Sequence, residues 1–589
     1  MSHDYTASTL HKDIAESSSS LTVTHIQSPM LRLERLRTIN DPVISEFVSS
    51  IPTNFSELVR LMLRFGNTTI DQFVLNNRFK LKQAIQKFHH QAGTLTANLS
   101  EKISLLTDPT TQILVSTHQP NLFPYSGVCK KIVLLETLKN ALQKIDQNKK
   151  IINLFIVIDH EFADDRWVRH AQLPSIHHPS GILQLTAPVS RKEKRQLIKN
   201  IGKPSSSVLS EWERRIRSSI RYMLDSPIMA SPLANSATSL SNLRGSELLS
   251  NFDYFWAEVE LAYSKSISFA DFNAFLLSQI VNNVFGYSTL FLRLTEMSTA
   301  VEGGIKYLIA NFDTYSKILK NTEKSLINNG IKTRVSPNVY DSAPVWLHCK
   351  CGSKASSKII QNKQNLALIG SCLGCGKHLV QNIGNLASPD VSDVIENISL
   401  RAIPIPLLLS RDIGIACYAT GTGGVGYLTD THVISRGLSI PSPIITLWAG
   451  RDIYNGMAQS IALKSLGMQD SATNQPIQLY INRLKQNYSS HAERIKVLIE
   501  ERERMIRNNI PINNVLADLF ALKQEQRHIR KNIEQAQQVN TIVDLSPCLI
   551  DYAINFGIDN VEKYWRQYLL ENSDLITPTN YYPCLSYKR

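Results

Sequence analysis

The chain has 589 residues, of which 43% are hydrophobic and 19% are charged, a balance ordinary for a soluble globular protein. Its length exceeds what one compact core holds, so we expect several structural units. A count of 63 Lys and Arg against 50 Asp and Glu gives a net charge of +13, which favours an anionic partner such as a nucleotide, a phosphorylated or carboxylate substrate, or RNA. The apolar runs are too short for a membrane span and the N-terminal segment lacks a secretory signal, so we expect a cytoplasmic protein with no membrane partner.

The first part of the chain divides into two predicted regions. Residues 1–25 are rich in Ser and Thr, which predicts a disordered tail. Apolar residues then recur at helical spacing as far as Leu106. This periodicity predicts a helical N-terminal region over residues 26–105.

The middle of the chain alternates between short apolar strands and helices. The strand "QILVST" is followed by the loop "HQPNLFPYSG", a helix over residues 127–145 and a second strand over residues 152–159. This order predicts an α/β domain with a parallel sheet. Similar segments resume after a cysteine-rich stretch. We therefore expect one sheet domain in two parts, residues 106–340 and 385–470, with residues 341–384 inserted between them.

Polar side chains follow both of these strands. The first group is Thr117, His118, Gln119 and Asn121, and the second is Asp159, His160, Glu161 and Asp164. Because the carboxyl ends of parallel strands meet at one edge of a sheet, the two groups are expected to face each other across a ligand-binding crevice. Histidine serves near neutral pH as an acid, a base or a hydrogen-bond donor to phosphate. We therefore predict a site here, with simple packing of the two histidines as the alternative.

A third polar cluster, "ATGTGGVGYLTDTH", lies between a strand and a helix. Gly421, Gly423 and Gly426 satisfy the spacing G-x-G-x-x-G. The dinucleotide fingerprint also needs an acidic residue about twenty positions later, and because Arg451 precedes Asp452 there, NAD is disfavoured. The turn could instead bind a phosphate or carboxylate through backbone N–H groups, or be a tight turn without a ligand. The residues that we predict to bind substrate or nucleotide are Thr117, Gln119, Asn121, Gly423, Gly424, Gly426 and Arg451.

The inserted stretch carries two close cysteine pairs, Cys349 with Cys351 and Cys372 with Cys375. Two such pairs on separate turns, each followed by glycine, bring four thiolates together around Zn²⁺. The segment between the pairs alternates like a small hairpin, as in a zinc ribbon. We therefore predict a structural zinc site, with a redox dithiol as the alternative and neighbouring histidines as less favoured ligands.

The remaining patterns concern charge and helices. Two basic segments, residues 191–203 and 214–221, are interpreted as solvated helix faces, with an RNA or phosphate patch as the alternative. Charged amphipathic runs predict an antiparallel helical coiled coil over residues 471–540, through which two chains could form a homodimer. A helical C-terminal segment is expected over residues 541–589. The apolar positions that support the coiled coil are Leu484, Ile495, Leu498, Ile499 and Ile506.

Several of these motifs together resemble the bacillithiol cysteine-adding enzyme family, BshC. The loop from Thr117 to Phe123 is similar to that family's "TGQQ-x-G-LF", and residues 159–162 are similar to its "EDHDF". The glycine turn is similar to its "GGPGE", although Val425 and Tyr427 replace the proline and the glutamate. The resemblance covers residues 105–570, apart from the cysteine insert. The loop "HQPNLFPYSG" is also similar to the "HQPN-x-x-P-x-x-G" signature of WbqC-like proteins, which are associated with sugar and amide modification.

The resemblance implies a Rossmann-like (HUP-type) sheet and a ligase-like enzyme that adds cysteine, or another amino acid, to an amino-sugar conjugate. Activation of the carboxyl group implies a nucleotide, such as ATP or ADP, or another activating partner. We assign proton or phosphate handling to His118 and His160, and orientation of an amine or a metal-bound phosphate to Asp159 and Glu161. The alternatives are a WbqC-like amide-modifying enzyme, a zinc-ribbon RNA-binding protein on a nucleotide-binding-type fold, and an assembly protein with a vestigial site.

Overall fold

The computed structural model describes residues 33, 35–65, 70–226, 238–331, 339–362, 365–448, 454–468, 475–572, 575–576 and 585–586. The tail predicted for residues 1–25 and the predicted binding residue Arg451 lie outside the described residues. Among the described helices, none combines the length and apolar character that a membrane span requires.

Helices precede the first strand of the main sheet, as the N-terminal periodicity predicts. They are α1 (Pro42–Ser50), α2 (Phe55–Arg64), α3 (Gln72–Ala92) and α4 (Ala97–Ser104). The next region holds β1 (Gln112–His118), α5 (Ser126–Ile145), β2 (Ile151–Val157), α6 (Arg166–Arg169), β3 (His170–Pro174), β4 (Ile182–Thr186), α7 (Ser206–Leu224), α8 (Thr238–Lys265), α9 (Phe269–Gln279), β5 (Leu290–Arg293), α10 (Glu302–Ala310) and α11 (Phe312–Asn328). The cysteine-containing region holds β6 (Val345–His348), β7 (Lys354–Ser356), β8 (Lys358–Asn362), β9 (Asn365–Ser371) and β10 (His378–Asn385).

The remaining elements complete the sheet and the C-terminal part. The first of these are β11 (Ile398–Leu400), α12 (Pro404–Leu408), β12 (Cys417–Thr420), α13 (Val425–Gly437), β13 (Ile444–Leu447), β14 (Tyr454–Asn455) and α14 (Met457–Ser465). They are followed by α15 (Gln475–Arg507), α16 (Asn513–Asp544), α17 (Leu549–Phe556), α18 (Ile558–Asn572) and β15 (Leu585–Ser586).

A five-stranded parallel sheet forms the centre of the fold, in the order β13-β12-β1-β2-β5. If the five strands are numbered 1 to 5 in chain order, the sheet read from the β5 edge has the order 3-2-1-4-5. The direction of winding therefore reverses between β1 and β12. Every residue of β2 is buried, which explains its unbroken apolar sequence. The α/β class predicted from the sequence is therefore confirmed.

The sheet becomes accessible at its carboxyl edge. In β1 the first five residues are buried, whereas Thr117 and His118 are only half-buried. Helix α5 starts just beyond this edge and packs back against β1, β2 and β12. The predicted ligand-binding loops therefore lie at the edge where polar side chains can reach solvent.

The cysteine-containing region forms two small antiparallel sheets, β11-β6-β7 and β8-β9-β10. Strands β8 and β9 form the hairpin expected between the cysteine pairs, and it closes where Asn362 pairs with Asn365. Strand β11 follows the cysteine segment in the chain and pairs with β6, which precedes it. This pairing fixes the cysteine region onto the chain that leads back to the main sheet.

The segment at residues 191–203 is not the solvated helix face that the sequence suggested. It runs through turns, with one 3-10 turn at Ile198–Asn200, because its backbone bonds to other segments. Leu197 N donates to Gly352 O at 2.8 Å, and Ile198 N donates to Glu161 O at 2.9 Å. The second basic segment does lie on a helix, α7.

Helices α15 and α16 form the predicted helical hairpin. Gln478 Nε2, near the start of α15, donates to Asn540 Oδ1, near the end of α16, at 2.8 Å. The two helices are therefore antiparallel. Ile495 is buried against α16, as predicted, but Ile506 is 52% exposed and does not belong to the seam. The turn comes directly after Ile506, where α15 ends. Homodimer formation through this hairpin stays a prediction.

Candidate active site and cysteine cluster

The carboxyl ends of β1 and β12 lie side by side where the winding of the sheet reverses, and we call the space beyond these two strand ends the crevice. The two strands are paired as far as Ser116 and Ala419. The residues beyond this pair carry polar side chains. Thr117 Oγ1 lies 2.7 Å from Tyr418 Oη, so a hydroxyl pair bridges the two strands. In open α/β sheets this reversal point is where ligands bind.

A buried lysine lies beneath this crevice. Lys131, in the second turn of α5, is 4% exposed and donates from Nζ to Thr117 O at 2.6 Å. Burial lowers the pKa of Lys131 from 10.5 to about 7. Among the described residues no carboxylate forms an ion pair with Lys131. Its neighbour Lys130 is also buried and places Nζ 4.4 Å from the centre of the Trp448 ring.

His118 is half-buried at the end of β1, and its Nδ1 lies 2.9 Å from Gln119 O. A carbonyl oxygen can only accept, so Nδ1 carries the proton in the neutral ring and Nε2 keeps a lone pair. Desolvation at the packed edge, and then the charge of Lys131, lower the pKa of His118 to about 3. The ring is therefore neutral at pH 7 and can accept a proton at Nε2.

The loop after β1 is held rigidly by contacts outside itself. Asn121 Nδ2 donates to Trp167 O at 2.7 Å, and Asn273 Nδ2 donates to Pro120 O at 2.8 Å. Phe123 has a left-handed φ of 50°, which is rare for an aromatic residue. Its fully buried ring packs edge-on against Trp212, and this packing offsets the backbone strain. The loop therefore presents His118 and Gln119 in a fixed geometry.

The glycine turn connects β12 to α13. Gly424 has an ordinary φ of −75°, but a Cβ there would collide with Thr420 Oγ1. Gly421 also has an ordinary φ, of −91°, and faces open space, with no atom within 4 Å of an added Cβ. Gly423 and Gly426 lie in the same turn, at the start of α13. The amide end of α13 thus lies at the carboxyl edge of the sheet, where an anion would be stabilised.

The carboxylate of Asp159, which follows β2, is hydrogen-bonded to Thr295, just after the end of β5. Asp159 is 1% exposed, and its Oδ1 accepts from Thr295 N at 3.1 Å while its Oδ2 accepts from Thr295 Oγ1. Burial raises the pKa of Asp159, against the lowering effect of Lys199. Both carboxylate oxygens are thus engaged in holding the end of β5. Glu161, two residues later, is half-buried. Burial lowers the pKa of Lys354 to about 8, and the nearby charge of Glu161 opposes that shift only in part.

His160 points into the contact between the main sheet and the cysteine region. It is 4% exposed, and its Nδ1 lies 2.7 Å from Ser399 Oγ. His348 Nε2 lies 2.8 Å from the same hydroxyl. Lys354 Nζ donates to His160 O at 2.8 Å. Burial, and then the charge of Lys354, hold the pKa of His160 well below its usual range. The two histidines therefore differ in exposure: His118 is half-buried, whereas His160 is enclosed.

The four cysteines lie together and could hold a metal ion such as zinc, because all four sulfur atoms are within 4.8 Å of one another. Cys349 Sγ lies 3.7 Å from Cys375 Sγ, and Cys351 Sγ lies 3.5 Å from Cys372 Sγ. Zn–S bonds of about 2.3 Å in a tetrahedron require sulfur atoms about 3.8 Å apart, so the cluster fits the ion.

Local backbone geometry explains why each pair is followed by glycine. Gly352 and Gly376 have left-handed φ values of +88° and +75°, which turn the chain back after each pair. Gly374 N donates to Cys372 Sγ at 3.4 Å. Burial alone would raise the pKa of Cys372, but the amides of residues 374 and 375 outweigh it and lower that pKa to about 7. Such N–H groups favour the thiolate that binds a metal.

Sequence reasoning missed several polar groups at these sites. Lys131, Lys354, Ser399 and Tyr418 were not singled out, although each contacts a predicted site residue. Only Lys131 carried a usable signal, since "CKK" interrupts an otherwise apolar helical stretch. The other three come from distant segments and become neighbours only through the fold.

Comparison with protein-family models and with curated protein sequences finds no match. The BshC resemblance therefore depends on the quoted motifs alone and stays a hypothesis.

Proposed function

We propose that the protein is a ligase-type enzyme that forms an amide bond at the carboxyl edge of a Rossmann-like sheet. The strand order supports this proposal, since 3-2-1-4-5 is the order of doubly wound dinucleotide- and nucleotide-binding domains. The crevice between β1 and β12 is the ligand position in such sheets. By resemblance, the amino acid is cysteine and the acceptor is an amino-sugar conjugate.

The observation that carries the proposal is the buried Lys131 under this crevice. A buried cation without an anionic partner is costly, and a bound phosphate or carboxylate would offset that cost. The amide ends of α5 and α13 lie at the same edge and favour the same sign of charge. An anionic ligand such as the phosphates of ATP or ADP fits this arrangement.

His118 fits the role of general base. Amide formation in water needs an activated carboxyl group, such as an acyl phosphate or an adenylate supplied by the nucleotide. The amine nitrogen attacks the activated carboxyl carbon, the phosphate or AMP leaves with the bonding electron pair, and His118 Nε2 takes the amine proton. The neutral ring offers a lone pair on Nε2 for this proton, but a pKa lowered to about 3 makes the imidazole a weak base, so the proton must pass on at once to the departing phosphate.

The remaining predicted residues have supporting roles in this proposal. Asp159 and His160 are enclosed, so they hold the rim of the crevice instead of touching the substrate. Within this proposal the cysteine region would be a zinc ribbon, in which Cys349, Cys351, Cys372 and Cys375 would supply four thiolates to the metal. Four such ligands would give the zinc a structural role, in which it stabilises the fold.

The test is mass spectrometry of purified protein incubated with glucosaminyl-malate, cysteine and ATP. We expect a cysteine adduct that is absent from the His118→Ala variant and retained by His90→Ala, which removes an exposed histidine. ATP affinity is measured in parallel by calorimetry. ATP binding without an adduct would indicate that the enzyme uses an amine acceptor other than glucosaminyl-malate. Failure to bind ATP or ADP would overturn it.

A further inference from the structure

An exposed basic surface surrounds the cysteine cluster. The segment at residues 191–195 reads RKEKR, and the two cysteine turns each contribute a lysine. All six cations are exposed. We define the basic surface as Arg191, Lys192, Lys194, Arg195, Lys350 and Lys377.

The basic segment is anchored to the cysteine turn by three hydrogen bonds. Gly352 O accepts from Leu197 N at 2.8 Å and from Asn200 Nδ2 at 2.9 Å. Gln196 Nε2 donates to Cys351 O at 3.2 Å. A chain segment held in this way presents its charges in a fixed arrangement, unlike a free basic tail.

The cations of this surface are available to a partner. Among the described residues, none of the six forms an ion pair, whereas Arg214 and Arg217 on α7 pair with nearby carboxylates. The one acid within residues 191–195 is Glu193, and its Oε2 accepts from Ser190 N at 2.9 Å. The surface therefore carries a concentrated positive charge that the protein itself does not neutralise.

We propose that the basic surface binds the phosphate backbone of single-stranded RNA. Six cations on three separate turns match a repeating anion better than a single phosphate or carboxylate. The elements here are turns and short hairpins, which cannot enter a duplex groove as a helix does, but which a flexible strand can follow. A lipid surface fits less well, because Leu373 at 48% exposure is the one strongly exposed apolar side chain described on these turns.

This RNA site is separate from the proposed amide-forming site, so either can fail without the other. The direct measurement is fluorescence anisotropy with a labelled single-stranded RNA of about 20 nucleotides and mixed sequence. The test variant changes Arg191, Lys192, Lys194 and Arg195 to Gln. The control variant removes the same charge from the helical hairpin by changing Arg494, Lys496, Arg504 and Arg507 to Gln, all of which are exposed.

We expect the test variant to lose at least about tenfold in affinity near physiological salt. The slope of log affinity against log salt should become shallower by about 3, since each single-strand phosphate contact contributes about 0.7. The control should match the unaltered protein. Equal losses in both variants, or no RNA binding by the unaltered protein at physiological salt, would overturn the proposal.

A second measurement links the surface to the metal. The basic segment is hydrogen-bonded to the carbonyl oxygens of Cys351 and Gly352. Removal of the metal by chelation should therefore weaken RNA binding, and addition of Zn²⁺ should restore it. Binding to vesicles of anionic lipid, with no binding to RNA, would instead show that the basic surface contacts a membrane, and it would overturn the RNA proposal.

Discussion

His160 and His348 share one hydroxyl group, that of Ser399, with N···O distances of 2.7 and 2.8 Å. His160 follows the second strand of the main sheet, and His348 directly precedes the first cysteine of the metal cluster. Lys354 adds a second link, because it pairs with His348 across β6 and β7 and donates to His160 O. The cysteine cluster is thus mechanically connected to the rim of the candidate active site.

Loss of the shared hydroxyl should loosen this connection. Ser399 is fully buried, so Ser399→Ala leaves the ring nitrogens of the buried His160 and the half-buried His348 without their partner and should cost about 1–3 kcal/mol of unfolding free energy. Denaturant unfolding measures this cost. The matched control is Ser371→Ala, which removes an exposed hydroxyl and should change stability by less than about 0.5 kcal/mol. Equal stability of the two variants would show that the shared hydroxyl does not stabilise the contact.

Metal removal should unfold the cysteine region locally. The four sulfur atoms lie within 4.8 Å of one another and come from two separate turns. Without the ion, no metal–sulfur bonds join these two turns. Cys375→Ser should therefore lower the bound zinc measured by mass spectrometry, and raise amide hydrogen exchange across β6 to β10 and in the segment after His160. The control Cys548→Ala, which removes a buried cysteine elsewhere, should keep its zinc. Full zinc content in Cys375→Ser would contradict the four-cysteine site.

Lys131→Met should stabilise the fold while it removes anion binding. Folding lowers the pKa of Lys131 from 10.5 to about 7, so below pH 7 the folded protein bears the full cost of a buried charge. Replacement by an apolar side chain of similar length should raise the unfolding free energy by about 1–4 kcal/mol at pH 7. The gain should shrink as the pH rises from about 7 towards 10.5, and it should vanish only well above 10.5, where the unaltered lysine is neutral in both states. A destabilised variant would show that Lys131 serves the fold and not a ligand.

Anion affinity should depend on pH through the same lysine. As the pH rises through about 7, Lys131 loses its proton in the free protein, and the attraction to the phosphates of ATP weakens. Calorimetry between about pH 6 and pH 9 should therefore show an affinity that falls above pH 7, by up to about tenfold per pH unit. In Lys131→Met the affinity should be low and flat over this range. A flat profile in the unaltered protein would remove Lys131 from the site.

The sequence predicted elements more reliably than it predicted contacts. Short apolar runs and their order predicted the parallel sheet correctly, because buried strands such as β2 must be continuously apolar. The cysteine spacing predicted a cluster correctly, because metal ligation requires a specific residue type at a specific spacing. Both patterns are local, so the sequence alone exposes them.

Side-chain environments were harder to predict, because they depend on segments far apart in the chain. His118 and His160 look alike in sequence, each following an apolar strand, yet Ser399 from a remote strand encloses one of them. The basic segment before α7 was expected to be helical, but its N–H groups donate to Glu161 and Gly352 instead. Tertiary hydrogen bonds override local helix preference in this way.

The glycine turn offers a paired test of fold against function. Gly424→Ala should destabilise the protein by about 1–3 kcal/mol, because the new Cβ collides with Thr420 Oγ1 and either the turn or that side chain must move. Gly421→Ala should fold normally, since its φ of −91° is ordinary and open space surrounds the added methyl group. If that space holds a phosphate of the ligand, Gly421→Ala should nevertheless weaken ATP binding several-fold. Unfolding curves together with ATP titrations of both variants measure the two effects, and unchanged ATP affinity in Gly421→Ala would place the ligand away from the glycine turn.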